Sequence, residues 1–337
     1  MLRIAVDAMG GDAAPRNEIE GAIAALRVAG KRLEVALVGP ERILKNGLAD
    51  HNVTGLNLTV VGADDVVTMR DSPAGVLRAK PDSSIVRALE LHRDGVVDAF
   101  VSTGNTGAVM AASTLILGRI PRVSRPTIGS NFPNERGLCI VLDVGASVDC
   151  KPHHLYEFAV MGSIYAAQIF HCENPKVGLL SIGEEDTKGN ELTLAASALL
   201  KNSNLNFIGN VEGLDILKGS AEVIVCDGFT GNVVLKFAES VPGLLKQRIH
   251  SYADGSFIHK MRAGLMRKPL KTILGGDMDY QYHGGIPLLG VNGVIIIGHG
   301  RSTPLAIKNM ILRAEEMAQK KINELIARAL SPATQVA

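Results

Sequence analysis

Ala99-Phe100-Val101-Ser102-Thr103-Gly104-Asn105-Thr106-Gly107-Ala108-Val109-Met110-Ala111-Ala112-Ser113-Thr114-Leu115-Ile116-Leu117-Gly118 carries no charged side chain. At this length it would suit a membrane-spanning helix. Ser102 to Gly107 speaks against that, because its backbone and hydroxyl groups would find no partners in lipid. The stretch reads instead as a buried strand, Val96–Val101, then a polar glycine-rich loop, then a buried helix to about Leu117.

The same unit recurs along the 337 residues. Leu2–Val6 precedes Met9-Gly10-Gly11-Asp12 and a helix from about Pro15 to Val28. Pro15 suits a first helical turn, where a missing N–H goes unnoticed. Leu33–Val38 and Leu58–Val61 read as further strands. Cys139–Leu142 leads into Asp143–Ser147 and a helix over about Pro152–Phe170. Val177–Ile182 leads into Gly183–Asn190 and a helix from Glu191. Val223–Cys226 leads into Asp227–Asn232 and another helix, and Val294–Ile297 into Gly298–Thr303 and a last helix to about Ala329.

Near-continuous apolar strands alternating with helices specify an α/β chain with a mainly parallel sheet covered on both faces, a three-layer αβα arrangement. Residues 1–330 read as one domain with room for two lobes around a cleft, and 331–337 as a flexible tail. Loops after parallel strands line the ligand crevice, so six polar loops are expected on one side of the molecule.

Composition narrows the function. With 35 Lys+Arg against 34 Asp+Glu the chain is neither a strongly basic nucleic-acid binder nor an acidic disordered one. No Trp, 8 Phe and 5 Tyr leave few stacking platforms for single strands. Asp7 interrupts the first apolar run too early for a signal-peptide core. Cys139, Cys150, Cys172 and Cys226 show no C-x-x-C spacing, so a reduced, cytoplasmic protein without a zinc site is the expectation. The 36 Gly exceed the usual share of about 7% and concentrate in the polar loops.

A glycine-rich turn opening a helix exposes N–H groups at the positive end of the helix dipole, which suits phosphate. The plainer alternative is that glycine only makes the turn tight. Neither G-x-G-x-x-G nor a P-loop pattern occurs, which weakens a nucleotide site and leaves inorganic phosphate open. Gly10, Gly11, Asp12, Ser102, Asn105, Thr106, Gly107, Asn190, Thr230, Gly231 and Asn232 are the candidate phosphate or substrate contacts. Lys188 could hold the anion or an oxyanion, or simply pair with Glu184, Glu185 or Asp186. His299 could carry a proton or be structural, and Asp227, like Asn232, could bind ligand or cap a helix.

From Lys246 to Lys271 the charge is one-sided: Lys246, Arg248, Lys260, Arg262, Arg267, Lys268 and Lys271 against Asp254. Phe257, Ile258, Met261 and Leu265 fall on one helical stripe. A basic amphipathic segment over about 240–275 reads as a lipid-surface or partner-binding element, or as a helix packed on its own core or on a second subunit. The rest of the chain is net negative by difference.

Several of these motifs run together in one known family. Ile4–Asp12 with Ala14-Pro15, Ser102–Gly107, Leu142–Ala146, Met161–Ser163, Gly183–Glu185, Lys188–Glu191, Phe207–Glu212 and Asp227–Val233 resemble the bacterial phosphate acyltransferases of the PlsX family, in order from residue 1 to about 325. The resemblance implies transfer of a long-chain acyl group from acyl carrier protein to inorganic phosphate, giving acyl phosphate for a membrane acyltransferase of phospholipid synthesis. It also implies an isocitrate/isopropylmalate dehydrogenase-like fold, a homodimer, and peripheral association with an anionic lipid surface. Phosphate would attack the thioester directly, with Lys188, Asp227 and His299 as the catalytic candidates and no metal or cofactor. Ile286-Pro287 and Ile297-Gly298 depart from many relatives, which touches acyl-chain preference. Two other classes are a metal- and NAD-dependent dehydrogenase of the same fold and a non-catalytic phosphate- and membrane-binding scaffold.

Overall fold

The computed structural model describes residues 1–274 and 280–331. Of the tail expected over 331–337, all but Ser331 lies outside the described residues, as do the side chains of Arg267, Lys268 and Lys271. The strands are β1 (Leu2–Asp7), β2 (Leu33–Gly39), β3 (Leu58–Gly62), β4 (Ala99–Ser102), β5 (Thr127–Asn134), β6 (Gly137–Leu142), β7 (Val177–Leu180), β8 (Phe207–Val211), β9 (Val223–Val225), β10 (Ile286–Leu289) and β11 (Val294–Ile297). The helices are α1 (Arg16–Ala29), α2 (Glu41–Ala49), α3 (Val76–Ala79), α4 (Ser84–Arg93), α5 (Thr106–Ile116), α6 (Pro152–Ile169), α7 (Glu191–Lys201), α8 (Gly213–Lys218), α9 (Gly228–Asp254), α10 (Phe257–Leu274), α11 (Pro304–Gln319) and α12 (Ile322–Ala329).

One sheet runs through the molecule in the order β3-β2-β1-β4-β11-β10-β5-β6-β9-β7-β8. Alternation along each strand feeds two cores. On β1, Ile4 and Val6 join the layer packed by α1, α6 and α11, while Ala5 joins the layer packed by α4 and α5. Both cores extend across the sheet, the first from Leu37 to Val177 and the second from Val38 to Ile224. The three-layer αβα expectation holds, and Ala99–Gly118 divides into β4, a loop and α5. Among the described residues no helix is long and apolar enough to cross a membrane.

Direction along the sheet corrects the idea of a single loop-bearing side. β3, β2, β1, β4 and β11 are mutually parallel. β10 is antiparallel to β11 and to β5, and β5 is antiparallel to β6. β6, β9, β7 and β8 are parallel to one another and therefore run against the first five. The six loops thus leave strands of opposite direction, three from each half. Two antiparallel strands, one containing Asn131–Asn134 and one interrupted by Pro287, lacked the continuous apolar signature that marks the parallel ones.

Two helical expectations also change. The last helix breaks at Lys321, whose φ of 53° is left-handed, so α11 and α12 are separate. The basic segment is not one helix: Lys246 and Arg248 lie on α9, Lys260 and Arg262 on α10, with Gly255-Ser256 between. Phe257, Ile258, Met261 and Leu265 are all exposed, so the stripe is not packed on this chain's own core.

Candidate active site

The first loop group gathers where β1, β4 and β11 end. Asp7 closes β1, is 1% exposed, and accepts from Ser84 Oγ (2.6 Å), Ser102 Oγ (2.7 Å) and the Met9 N–H (3.1 Å). Burial raises its pKa, and the two hydroxyls and the N–H pull it back. Ser102 Oγ in turn accepts the Gly104 N–H at 3.0 Å, so this candidate ligand residue is committed to the framework of the turn. Gly10 and Gly104 must be small because their backbones cross over Asp7: a Cβ on Gly10 would stand 2.7 Å from Asp7 Oδ2. The β11 turn joins through the Asp12 N–H, which donates to the Gly300 carbonyl at 2.7 Å.

Asn105 caps α5, its Oδ1 accepting the Ala108 N–H at 3.1 Å. Its amide also donates to the carbonyls of Thr68 (3.2 Å) and Asp71 (3.3 Å). This pulls residues 68–73 across the turn, and a Cβ on Gly107 would meet Pro73 Cγ at 2.8 Å. The Lys80–Asp71 pair at 2.7 Å pins the same segment, and that hydrogen bond holds the Asp71 carboxyl at about 2. Thr106 and Asp12 stay exposed at the rim. The covering segment was not legible from spacing, since Thr68–Pro73 shows no periodicity.

The second group sits at the ends of β6, β9 and β7. Asp227 caps α9, accepting the Thr230 N–H at 2.9 Å and its hydroxyl at 2.7 Å, so both carboxylate oxygens and the Thr230 side chain serve the cap. Gly231 lies against Asp143, whose carbonyl occupies the place of a Cβ. Asp143 itself accepts N–H groups from Ile128, Gly145, Ala146 and Ser147, and burial raises its pKa. Asn232 is exposed on the first turn of α9, and its Oδ1 lies 3.4 Å from the Cβ position of Gly145. Asn190 caps α7 through Thr193.

Lys188 is exposed on the neighbouring loop, its backbone held by Glu185, Ser181 and Asn210. Asp186 pairs with Lys201 at 2.6 Å rather than with Lys188, and among the described residues Lys188 forms no ion pair.

The candidates therefore separate: Gly10, Gly11, Asp12, Ser102, Asn105, Thr106, Gly107 and His299 in one group, and Lys188, Asn190, Asp227, Thr230, Gly231 and Asn232 in the other. Helix α9 joins them. It begins in the second group, and its Glu239 Oε1 meets His299 Nε2 of the first at 3.0 Å. At 1.5 Å per residue, Asp227 and Glu239 are about 18 Å apart along the helix. Among the described residues no cluster of three or more His, Cys, Asp or Glu could hold a metal ion.

Two features escaped the sequence reading. Glu18, 1% exposed, sits under Gly11 and accepts from Thr103 Oγ1 at 2.9 Å. Its signal was present: Glu18, Ala22, Ala25 and Leu26 share the buried face of α1, so an acid stands on an apolar stripe. The second is the outer face of α9, where Phe229, Val233, Phe237, Val241 and Leu244 form an exposed apolar row.

Both loop groups fall inside one family match. The model of a family described as "Fatty acid synthesis protein" covers residues 2–325. The chain belongs to this family, whose members include the phosphate acyltransferases. The phosphate acyltransferase of Pelotomaculum thermopropionicum is 47% identical over 98% of this chain and 95% of the relative. That of Chlorobaculum parvum is 46% identical over 98% and 99%. Among solved structures, a phosphotransacetylase from Streptococcus pyogenes superposes with a TM-score of 0.58 at 17% identity, covering 95% of this chain and 94% of that one. A branched-chain phosphotransacylase from Enterococcus faecalis gives 0.58 at 12%, covering 96% and 99%. At such identities the likeness is one of fold.

Proposed function

We propose that this chain transfers a long-chain acyl group from acyl carrier protein to inorganic phosphate, producing acyl phosphate and free carrier thiol. Family membership over residues 2–325, with both loop groups inside the match, carries the reading. Phosphate lies on the glycine-rich turns of the first group, where helix α5 begins. Its oxygen attacks the thioester carbon, the carbonyl becomes an oxyanion, and the carbon–sulfur bond breaks as the thiolate leaves. Lys188, in the second group, is the cation assigned to the developing charge, which requires the two loop groups to close on one substrate. A thiol with a reference pKa of about 8.5 is a good leaving group, so modest proton donation suffices, and His299, held by Glu239, is the group placed to give it. Asp227 acts through the cap it forms.

The partners follow the same reading. Lys246, Arg248, Lys260 and Arg262 on the α9–α10 hairpin offer positive charge to the acidic carrier protein or to anionic lipid. The exposed apolar row on α10 suits a peripheral lipid contact. A groove of about 660 Å³ between the two helices, lined by Leu245, Ile249, Tyr252 and Leu265, offers room for an acyl chain. The apolar row on α9 suits a second copy of the chain in a homodimer. A cytoplasmic location at the membrane surface would deliver acyl phosphate to a membrane acyltransferase. The deciding experiment is phosphate-dependent release of free carrier protein from its palmitoyl-loaded form. Release is expected, and folded protein that releases none removes the reading.

A further inference from the structure

Glu18 lies where three turns of the first loop group meet. Its Oε1 accepts from Thr103 on the β4 turn, and a Cβ on Gly11 of the β1 turn would fall on that oxygen. The same Cβ position is 3.3 Å from the Gly300 carbonyl on the β11 turn. Its other oxygen, Oε2, is buried and has no hydrogen-bond partner. A buried carboxylate normally gathers donors or a cation. Among the described residues this one forms no ion pair, and the acid Asp7 is close enough to act on it.

We infer that the Glu18 carboxyl sets how tightly the turns above it hold an anion, bracing them as a neutral group when protonated and placing a negative charge beneath them when ionised. This rests on the reading that phosphate occupies those turns. The charged groups on the three turns are Asp12, His299 and Arg301, with Asp7 at the end of β1, and those on the helices that carry or pack against Glu18 are Arg16, Glu20 and Arg27 on α1 and Lys308, Arg313, Glu315 and Glu316 on α11. Arg16 is taken by Glu20 at 2.9 Å and His299 by Glu239 at 3.0 Å. Burial chiefly, with a contribution from Asp7, raises the Glu18 carboxyl to about 7, so the change of charge falls within the neutral range. By reciprocity, anion binding must favour the protonated form and take up a proton.

Inorganic sulfate tests this, because it remains a dianion while phosphate titrates. Its inhibition constant against phosphate is measured in the thiol-release assay between pH 6 and pH 8, for the full chain and for Glu18→Gln. The expected result is a rise of about tenfold in the unsubstituted protein and a low, nearly flat value in Glu18→Gln. Parallel profiles for the two proteins overturn the inference and leave the phosphate reading intact. Turnover without any competition from sulfate at any pH removes the shared site and the inference together. Should Glu18→Gln fail to fold, calorimetry of sulfate binding at pH 7 in buffers of different ionisation enthalpy serves, run on the full chain and on His299→Gln, which removes the imidazole of the neighbouring turn. Uptake of about half a proton per sulfate is expected, and none overturns the inference.

Discussion

Lys188 is exposed and free of ion pairs among the described residues, so its removal should disturb chemistry more than folding. Lys188→Ala is expected to cost about 2.7–4 kcal/mol of transition-state stabilisation, a hundredfold or more in kcat, with an unchanged circular-dichroism spectrum. Near wild-type turnover would remove Lys188 from the mechanism. Two buried titrating groups act on stability instead, with opposite signs. Glu18 is raised from 4.5 to about 7, so its contribution is full below about 4.5 and is lost as pH rises through about 7. His154 accepts the Lys151 N–H through Nδ1 at 3.0 Å, and burial lowers it from 6.5 to about 4. Its contribution is full above about 6.5 and is lost as pH falls through about 4. Urea melts across this range should show Glu18→Gln abolishing the loss on the neutral side and His154→Gln the loss on the acid side. Slopes unchanged by either substitution would contradict the burial argument. Of these residues only Lys188 stood out in the sequence, because charge in a loop is visible while burial of a particular side chain is a tertiary property.

Helix α9 shows what one element can connect. Its first turn needs glycine: Gly231 faces the Asp143 backbone, so Gly231→Ala should force the helix off β6 and cost about 1–3 kcal/mol in a denaturant titration. A cost below a few tenths would mean the turn yields freely. Its fourth turn reaches His299 through Glu239, and its far end enters the basic hairpin. Charge reversal at Lys260 and Arg262 separates the roles proposed for that hairpin. A several-fold rise in KM for acyl carrier protein marks carrier docking; weaker sedimentation with anionic vesicles at constant KM marks lipid. No change in either measurement removes both. Helix formation here was legible from the sequence, as was the apolar stripe of α10. That α9 and α10 are two helices folded on each other was not, because helical spacing continues on both sides of Gly255-Ser256.

At the scale of the molecule, two parallel half-sheets of opposite direction are joined by β10 and β5, and both cores run across the join. The chain is therefore expected to unfold in one cooperative transition, with fluorescence-independent probes such as far-ultraviolet and near-ultraviolet dichroism giving the same midpoint. Separate transitions would show that the halves are energetically independent. The amino-acid sequence by itself determined the layer architecture, the strand–turn–helix units and the family, because apolar periodicity and turn chemistry are local and were written in consecutive residues. The division of six loops into two groups, the framework built on Asp7, and the buried acid beneath Gly11 were decided only by tertiary structure. Strand direction in a sheet and the burial of one carboxyl depend on partners that lie tens to hundreds of residues away, as Thr103 does from Glu18 and Ser84 from Asp7.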